Sequence, residues 1–282
     1  MTSGTTPQTA APPGGRLLAI AKRGAEHALW ARVGLQRRIE SRSRLARAVP
    51  SSVAPTGVLQ SRAEAAAALA AARRLRLPLH HDRVKNWDAL GAVGAVLSLA
   101  GREGAFPERV LDAGSARYSP ILPWLRLYGL GDRPDGLTGI NLEFARPVRR
   151  DGVLFRHGDV TATGLPDGHL DAITCMSVIE HGVPLRPFLA EAARVLRPGG
   201  VLVVSTDYDA SPPEVAGRTA YGVPVHIFGP QEIRELVGDA AAVGLDLVGE
   251  LTDEGLTHPE RPCHWERVGL DYTFILLTFR RR

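Results

Sequence analysis

The apolar positions of this chain follow two different patterns, which meet near residue 109. From there onward, short apolar runs alternate with segments of helical periodicity. Such alternation is typical of a parallel sheet covered by helices on both faces. The pattern predicts helices near 119–128, 186–196 and 230–243, and strands near 109–113, 137–142, 153–157, 170–176, 200–206, 245–250 and 272–279. We therefore expect an α/β fold with seven strands in a mostly parallel sheet.

The segment before residue 109 has helical periodicity instead. Its clearest stripe predicts an amphipathic helix within residues 16–47, because apolar side chains recur there at three- and four-residue steps. The stripe consists of Leu18, Ala21, Ala25, Leu29 and Val33. Residues 1–15 contain no charged side chain and are rich in Thr, Pro and Gly, so we expect a disordered tail.

The remaining N-terminal segments complete the predicted organisation of the chain. Residues 50–57 have the composition of a linker, and the alanine-rich 64–77 and the apolar 89–100 predict two more helices. We expect three parts, which are a disordered tail over 1–15, a helical basic arm with its linker over 16–79, and an α/β domain over 80–282.

Basic charge is concentrated in the N-terminal arm. The chain has a net charge of +4, and residues 1–60 carry nine basic and two acidic residues, so the rest has a small acidic excess. Three roles are open for the arm over 16–47: packing of its apolar stripe on the protein, contact with an anionic membrane surface, or binding of a polyanion. Because no basic excess continues after residue 60, we expect no nucleic-acid partner.

Composition excludes some classes of protein. Two cysteines, Cys175 and Cys263, cannot form a disulfide framework, and the apolar stretch over 89–100 is too short to span a bilayer. No basic leader with a long apolar region opens the chain, so we expect a cytoplasmic protein. Cys263 and His264 lie near His258 and Glu260, but this group lacks the paired spacing of a structural zinc site, so no metal is predicted.

The segment 110–120 has the form of a strand that turns sharply into a helix. An apolar run ends in Asp112, passes through Gly114 and other small residues, and reaches Ser119 and Pro120 as a predicted N-cap and first helical position. Small residues at such a corner let backbone N–H groups and a helix N-terminus approach a bound ligand closely. This corner predicts a ligand site.

Four further features follow the corner in a defined order. A second strand ends in Asn141, and an acid, Asp159, follows the third strand. A Leu165-Pro166 corner precedes the fourth strand, which leads to Ile179-Glu180-His181. The segment Val195-Leu196-Arg197-Pro198-Gly199-Gly200 then enters the fifth strand.

In this order and spacing, over residues 80–282, the features closely resemble the class I S-adenosylmethionine-dependent methyltransferases, and in particular their type 11-like domain. The resemblance implies a Rossmann-like, seven-stranded sheet and S-adenosyl-L-methionine as the cofactor. It implies nine cofactor-binding residues: Asp112, Gly114 and Ala116 around the methionine portion, Met176 and Ser177 beside the sulfonium, Asn141 at the ribose hydroxyls, and Leu142, Asp159 and Val160 around the adenine.

Two positions depart from the family pattern. Most relatives carry an acid in place of Asn141, and an amide can accept only one of the two hydrogen bonds that a carboxylate accepts from the ribose. The usual Gly-x-Gly has become Gly114-Ser115-Ala116. These departures leave a second function open, in which a non-catalytic module with this fold uses its basic arm to contact a partner or a membrane.

Methyl transfer is the function that the resemblance implies. The cofactor carries the reactive group, and the protein supplies binding and alignment. His181 is the candidate general base, because histidine titrates near neutrality and this one follows a parallel strand, where open sheets bind ligands. We expect a small-molecule acceptor such as a sugar or secondary metabolite, with residues 207–228 as a lid and residues 80–87 on the opposite side.

A nicotinamide-dependent reductase is the third function considered, since it shares the first strand, corner and helix. The incomplete glycine fingerprint and the lack of a Tyr-x-x-x-Lys pair argue against it.

Overall fold

A computed structural model describes residues 13–43, 47–101, 105–220 and 222–282 of the chain. Six helices are present in these ranges, α1 (Pro13–Ser43), α2 (Arg62–Arg74), α3 (Asn86–Leu99), α4 (Ile121–Leu127), α5 (Leu185–Val195) and α6 (Pro230–Ala242). The strands are β1 (Gly57–Val58), β2 (Val110–Ala113), β3 (Leu137–Ile140), β4 (Val148–Arg150), β5 (Val153–Arg156), β6 (Leu170–Met176), β7 (Leu196–Tyr208), β8 (Thr219–Ala220), β9 (Val223–Pro224), β10 (Leu245–Leu247), β11 (Cys263–Trp265) and β12 (Leu270–Arg281).

The central sheet has the strand order β1-β12-β7-β6-β2-β3-β5-β4, and β10 and β11 also pair with β12. Strands β5, β3, β2, β6 and β7 are parallel, whereas β12 runs antiparallel to β7. The predicted α/β class, its Rossmann-like sheet and all seven of its strands are therefore confirmed. Strands β1, β4 and β11 and the β8–β9 pair are additions that the apolar pattern did not predict.

The chain order reverses direction across the sheet at β2. From β2 the chain proceeds to β3 and β5 on one side, and then crosses to β6 on the other side. In open α/β sheets this reversal opens a crevice at the carboxyl ends of the strands, where ligands bind. The crevice here lies between the segments that follow β2 and β6.

Each face of the sheet has its own apolar layer. Successive strand residues point to opposite faces, so Val110 belongs to the layer under α3, and Leu111 belongs to the layer under α5 and α6. Nearly all residues of α3 are buried, since it packs between the sheet, α2 and α4. A helix that is apolar all round is stable only in such a fully covered position.

Helix α1 packs on the body of the protein through a part of its predicted stripe. Val33 is buried and Leu29 is partly buried, and Trp30, which the stripe did not include, is buried beside them. The Trp30 Nε1 group donates a hydrogen bond to the Arg117 carbonyl at 3.0 Å, and its ring meets Phe155 edge-on at 5.8 Å.

Other parts of the predicted N-terminal division lie partly outside the described residues. The predicted tail over 1–15 is described only from residue 13, and residues 44–46 of the arm are not described. The three-part division stays a prediction. Residues 57–58 of the predicted linker region pair with Leu276 and Ile275 of β12, and so they extend the sheet. Among the described residues, no helix is long and apolar enough to cross a membrane.

The packing of α1 can be tested at Trp30. We expect Trp30→Ala to lower the free energy of unfolding by about 3–5 kcal/mol, the usual cost of truncating a buried tryptophan. Leu35→Ala, on the exposed side of the same helix, is the matched control and should change it by less than about 0.5 kcal/mol. Urea denaturation gives both values, and equal values for the two variants would contradict the packing.

Candidate functional site

The corner after β2 is shaped by a glycine that no other residue can replace without strain. Gly114 has φ +76°, and a Cβ at this position would lie 2.4 Å from a methyl carbon of Val178. Because left-handed backbone disfavours side chains, both conformation and space require glycine here. Helix α4 begins at Ile121 with Pro120 as its N-cap, one residue later than predicted, and no side chain caps it.

Asp112 is a buried residue of β2, one position before the end of the strand at Ala113. Its carboxylate accepts a hydrogen bond from Thr174 Oγ1 on the neighbouring strand at 2.7 Å. Burial raises the pKa of Asp112 to about 6, although hydrogen bonding opposes the shift. No ion pair of Asp112 is found among the residues that the structure describes. A cationic ligand group would therefore supply a charge partner that this carboxylate lacks.

A cavity of about 390 Å³ opens between the N-terminal end of α3 and the carboxyl ends of β2 and β6. Six of the ten predicted site residues lie in its wall: Asp112, Gly114, Ala116, Met176, Ser177 and His181. The structure thus brings together the residues expected at the methionine portion and sulfonium of the cofactor, as well as the candidate base.

The four residues expected around ribose and adenine lie outside this wall. Leu142 is 64% exposed, and Val160 is partly buried against the apolar layer under α5 and α6. Asp159 is exposed and accepts hydrogen bonds from the Thr161 backbone N–H and hydroxyl, both at 2.8 Å, which lower its pKa. The cofactor roles of Leu142, Asp159 and Val160 stay predictions.

Asn141 contacts the glycine corner itself. Its Nδ2 group donates to the carbonyls of Gly114 and Ser115 at 3.3 and 3.1 Å, and its Oδ1 accepts from the Glu143 N–H at 2.9 Å. A carboxylate at this position could not donate to the two carbonyls and would repel them. This contact gives a physical reason for an amide where most relatives carry an acid. Its ribose-binding role stays a prediction.

The segment over 80–87 lies on the opposite side of the cavity, where His80, His81 and Lys85 are in the wall. Burial and the neighbouring His81 lower the pKa of His80 to about 4, so it is neutral near pH 7. Among the described residues of the expected lid over 207–228, Asp207 alone is in the wall of this cavity. Trp87 is a buried core residue whose Nε1 group donates to Glu64 at 2.8 Å.

Sequence reasoning missed Asp88, and it placed Lys85, Glu180 and Asp207 near the site without giving any of them a role in the chemistry. Lys85 Nζ donates to Ser177 Oγ at 2.6 Å, and the buried carboxyl groups of Asp88, Glu180 and Asp207 surround this end of the cavity. Glu180 had a signal, since it lies within the Ile-Glu-His motif. Asp88 lies inside a nearly all-apolar helix, and a buried acid in such a helix is the kind of position that marks a functional or paired group.

His181, the candidate base, and Ser177 each have a distinctive environment. His181 is half-buried, and burial together with the positive charge of Lys85 lowers its pKa, so the imidazole is neutral near pH 7. Ser177 has φ +52°, an unusual backbone conformation for a residue with a side chain, and such conformations cluster at ligand sites.

No group of three or more His, Cys, Asp or Glu side chains suited to a metal ion occurs in the described part of the chain. His264 Nδ1 lies 2.8 Å from Asp271 Oδ1, and His258 Nδ1 lies 2.7 Å from the Glu260 carbonyl.

The glycine corner gives a paired test. We expect Gly114→Ala to destabilise the protein and to weaken S-adenosylhomocysteine binding more than about tenfold, because a methyl group would both strain the backbone and meet Val178. Gly164 also has positive φ (+71°), but no atom lies within 4 Å of its added Cβ. Gly164→Ala should therefore cost only about 1–2 kcal/mol of stability and leave binding unchanged. Calorimetry on both variants checks the comparison, and intact binding in Gly114→Ala would contradict the placement of the site.

Comparison with known proteins agrees with this geometry. The family described as "Methyltransferase domain" matches residues 114–204. The chain is 31% identical over 160 residues to a demethylmenaquinone methyltransferase of Beutenbergia cavernae, which covers 54% of this chain and 58% of that protein. It is 30% identical over 186 residues to the sterol 24-C-methyltransferase erg6 of Schizosaccharomyces pombe, which covers 61% of this chain and 48% of that protein.

The chain spans between 23% and 58% of the length of four of the relatives that it matches in sequence. A solved geranyl diphosphate C-methyltransferase from Streptomyces coelicolor A3(2) is similar with a TM-score of 0.48 at 16% identity, covering 88% of this chain and 98% of that chain. Residues 114–204 of the chain therefore match the methyltransferase domain family, and the sheet with its glycine corner has the form found in class I S-adenosylmethionine-dependent methyltransferases.

Proposed function

We propose that this protein transfers a methyl group from S-adenosyl-L-methionine to a small-molecule acceptor. The observation that carries the proposal is the cavity that joins the buried Asp112 and the glycine corner to a second, polar wall. One wall carries the residues expected at the cofactor and the opposite wall is polar, so an acceptor bound at the second wall would face the cofactor.

The residues present fit the methionine portion of the cofactor. Asp112 is a buried carboxylate whose raised pKa reflects the cost of holding a negative charge there, and the ammonium group of the cofactor would offset that cost. Gly114 leaves the space above the corner free, since a side chain there would meet Val178. Met176 and Ser177 would flank the sulfonium.

When bound, the cofactor supplies a methyl group on a positively charged sulfur. The chain contributes alignment, since holding a nucleophile in line with the methyl carbon can lower the barrier by about 7–11 kcal/mol. The neutral imidazole of His181 can accept a proton from an acceptor that must lose one. That role of His181 is a proposal, and full turnover of His181→Ala at saturating cofactor would exclude it.

The acceptor is proposed to be a small organic molecule. The names of three sequence relatives, a tocopherol O-methyltransferase, the demethylmenaquinone methyltransferase and the sterol methyltransferase, support an acceptor of that size. A sugar or secondary metabolite, as expected from the sequence, is one such class. The identity of the acceptor can be found by mass spectrometry of candidate metabolites incubated with the protein and an isotopically labelled methyl donor.

The basic arm has a packing role in the structure, and its membrane contact stays a prediction. Leu35 and Ile39 are 61% and 57% exposed on α1, with the exposed Arg32 nearby in sequence, and these side chains would carry such a contact. Arg37 is used within the protein, because it pairs with Asp151 at 2.9 Å. The cytoplasmic location also stays a prediction.

A non-catalytic module is the competing hypothesis, and calorimetry separates the two. Binding of S-adenosylhomocysteine is expected for the enzyme, whereas no detectable binding would favour the module. A larger thermal shift with a nicotinamide dinucleotide than with S-adenosylmethionine would instead favour the hypothesis of a nicotinamide-dependent reductase.

The pKa of Asp112 gives a pH prediction with a definite sign. The cofactor ammonium binds the ionised carboxylate, so affinity should be constant above the pKa of about 6 and fall by about tenfold per pH unit below it. Asp112→Asn should abolish this pH dependence and weaken binding about 10- to 100-fold at neutral pH, the value of a hydrogen bond to a charged group.

The control for this prediction is Asp253→Asn. The Asp253 side chain is 88% exposed, so its loss should leave both affinity and pH dependence unchanged. Calorimetric titration with S-adenosylhomocysteine across the pH range measures all three proteins. A pH dependence that persists in Asp112→Asn would assign it to another group.

A further inference from the structure

Three buried carboxyl groups and one lysine line the cavity beside Ser177, one of the residues expected at the cofactor. Lys85 precedes α3 and Asp88 lies in its first turn, whereas Glu180 lies in the turn after β6 and Asp207 lies near the end of β7. All four are in the cavity wall, and the three acids are 2–4% exposed. We call these four residues the charge cluster.

The hydrogen bonds of the charge cluster separate Asp88 from the other two acids. Both oxygens of Asp88 accept hydrogen bonds at 2.8 Å, one from the Ala89 N–H and one from Ser205 Oγ. Glu180 accepts one from Thr206 Oγ1 at 3.1 Å, through Oε2. Asp88 is therefore held as a structural carboxylate by bonds to both of its oxygens, while Glu180 lines the same cavity with its Oε2 bonded to Thr206.

Lys85 is fixed between the two ligand walls. Its Nζ lies 2.6 Å from Ser177 Oγ, in the wall expected beside the sulfonium, and 4.5 Å from the centre of the Phe274 ring. Burial alone would lower the pKa of Lys85, but attraction from Asp88, Asp207 and Glu180 raises it, so the ammonium stays charged.

One lysine cannot neutralise three buried carboxylates. Burial raises the pKa of both Glu180 and Asp207. Repulsion from Asp207 adds to the shift of Glu180, repulsion from Asp88 and Asp82 adds to that of Asp207, and the charge of Lys85 limits both shifts. Two interacting carboxyl groups titrate as a pair rather than as separate sites. Glu180 and Asp207 are therefore stronger bases than ordinary carboxylates, and they lie where an acceptor would enter.

We infer that Glu180 and Asp207 are catalytic carboxylates that take the proton of a hydroxyl acceptor, with Lys85 as their positioning residue. This inference rests on the proposed function and names the acceptor class for the same cavity. The acceptor oxygen forms a bond to the methyl carbon as the sulfur–carbon bond breaks, and that electron pair stays on sulfur. The hydroxyl proton passes to the carboxylate pair and later to water, so nothing is oxidised or reduced.

The carboxylate pair favours a hydroxyl over an amine as the acceptor. An amine attacks through the lone pair of its neutral form and needs no proton removed during the attack, so a proton acceptor speeds its methylation little. A hydroxyl is neutral before attack and must lose a proton during it, which a carboxylate pair promotes. Compared with the carboxylate pair, His181 is the weaker proton acceptor, since burial and Lys85 both lower the pKa of its imidazole.

The test uses the full chain and two probes that differ only in the attacking group, para-butylphenol and para-butylaniline. With labelled S-adenosylmethionine, we expect the wild-type protein to methylate the phenol faster than the aniline. Glu180→Gln and Asp207→Asn should each lower kcat for the phenol at least about 100-fold, the range for loss of a general base. Their affinity for S-adenosylhomocysteine should change less than about twofold.

Glu191→Gln is the matched control. Glu191 is also a buried glutamate, but it lies on α5 and bonds to Thr163 and Arg194 outside this cavity. The control should keep the wild-type kcat, so a loss confined to Glu180→Gln and Asp207→Asn would separate the proposed role from a general cost of removing a buried charge.

The positioning role of Lys85 has its own readout in the pH profile. The rate should rise with pH as the carboxylate pair loses its proton, and Lys85→Met should move this rise to higher pH, because the charge that lowers the pKa of the pair is gone. The other titratable or charged groups around the pair are Asp82, Asp88, His181, Cys263 and Tyr272. A structural role alone would lower the rate without moving the profile.

Several results would overturn the inference. These are wild-type kcat in Glu180→Gln and Asp207→Asn, faster methylation of the aniline than of the phenol, or no methylation of either probe by a protein that binds S-adenosylhomocysteine. Failure of the wild-type protein to bind S-adenosylhomocysteine would instead refute the proposed function itself. If either carboxyl variant fails to fold, the profiles of wild type and Lys85→Met decide, and a flat wild-type profile counts against the inference.

Discussion

The parallel pairing of β2 with β6 is the constraint on which the site depends. Asp112 lies opposite Thr174 in this register, so the buried acid receives its hydrogen bond from the adjacent strand. The same register brings the corner after β2 against the segment after β6, where Val178 fills the space beside Gly114. A shift of one residue would turn the side chains of β6 to the opposite face and separate the two halves of the cavity.

Most of the fold could be predicted from the sequence because its central strands are local apolar runs. The seven core strands and the helices between them follow from periodicity that needs no knowledge of distant contacts. Short edge strands such as β1 and β4 could not be predicted, since two or three residues have no periodicity and form only by pairing. β7 also begins earlier than expected, at Leu196, because residues before Gly200 join the sheet across a register shift opposite β6.

The site residues also fall into two groups, those that local sequence can place and those that depend on the packing of distant elements. Gly114 and Ser177 follow strands directly and Asp112 lies near the end of one, so local sequence is enough to place them at one edge of the sheet. Lys85 is different, because its contact with Ser177 joins residues 92 positions apart and depends on how α3 packs. The hydrogen bonds that Asn141 donates to the corner could not be predicted from the sequence either, because the sequence shows only that an amide stands where most relatives carry an acid. In the structure the amide donates to two carbonyls that a carboxylate would repel.

The hydrogen bond from Trp30 Nε1 to the Arg117 carbonyl joins helix α1 to a loop of the cavity wall, so it bears on where the chain can be shortened. Arg117 lies between Ala116 and Tyr118, which are both in the wall of the cavity. Trimming the protein to the region of family resemblance would remove this support and the ring that packs on Phe155. The corner after β2 would then be held by backbone hydrogen bonds such as the one that the Ser115 N–H donates to the Ile140 carbonyl. A shortened core is thus not equivalent to the same region within the whole chain, and measurements on one do not transfer to the other.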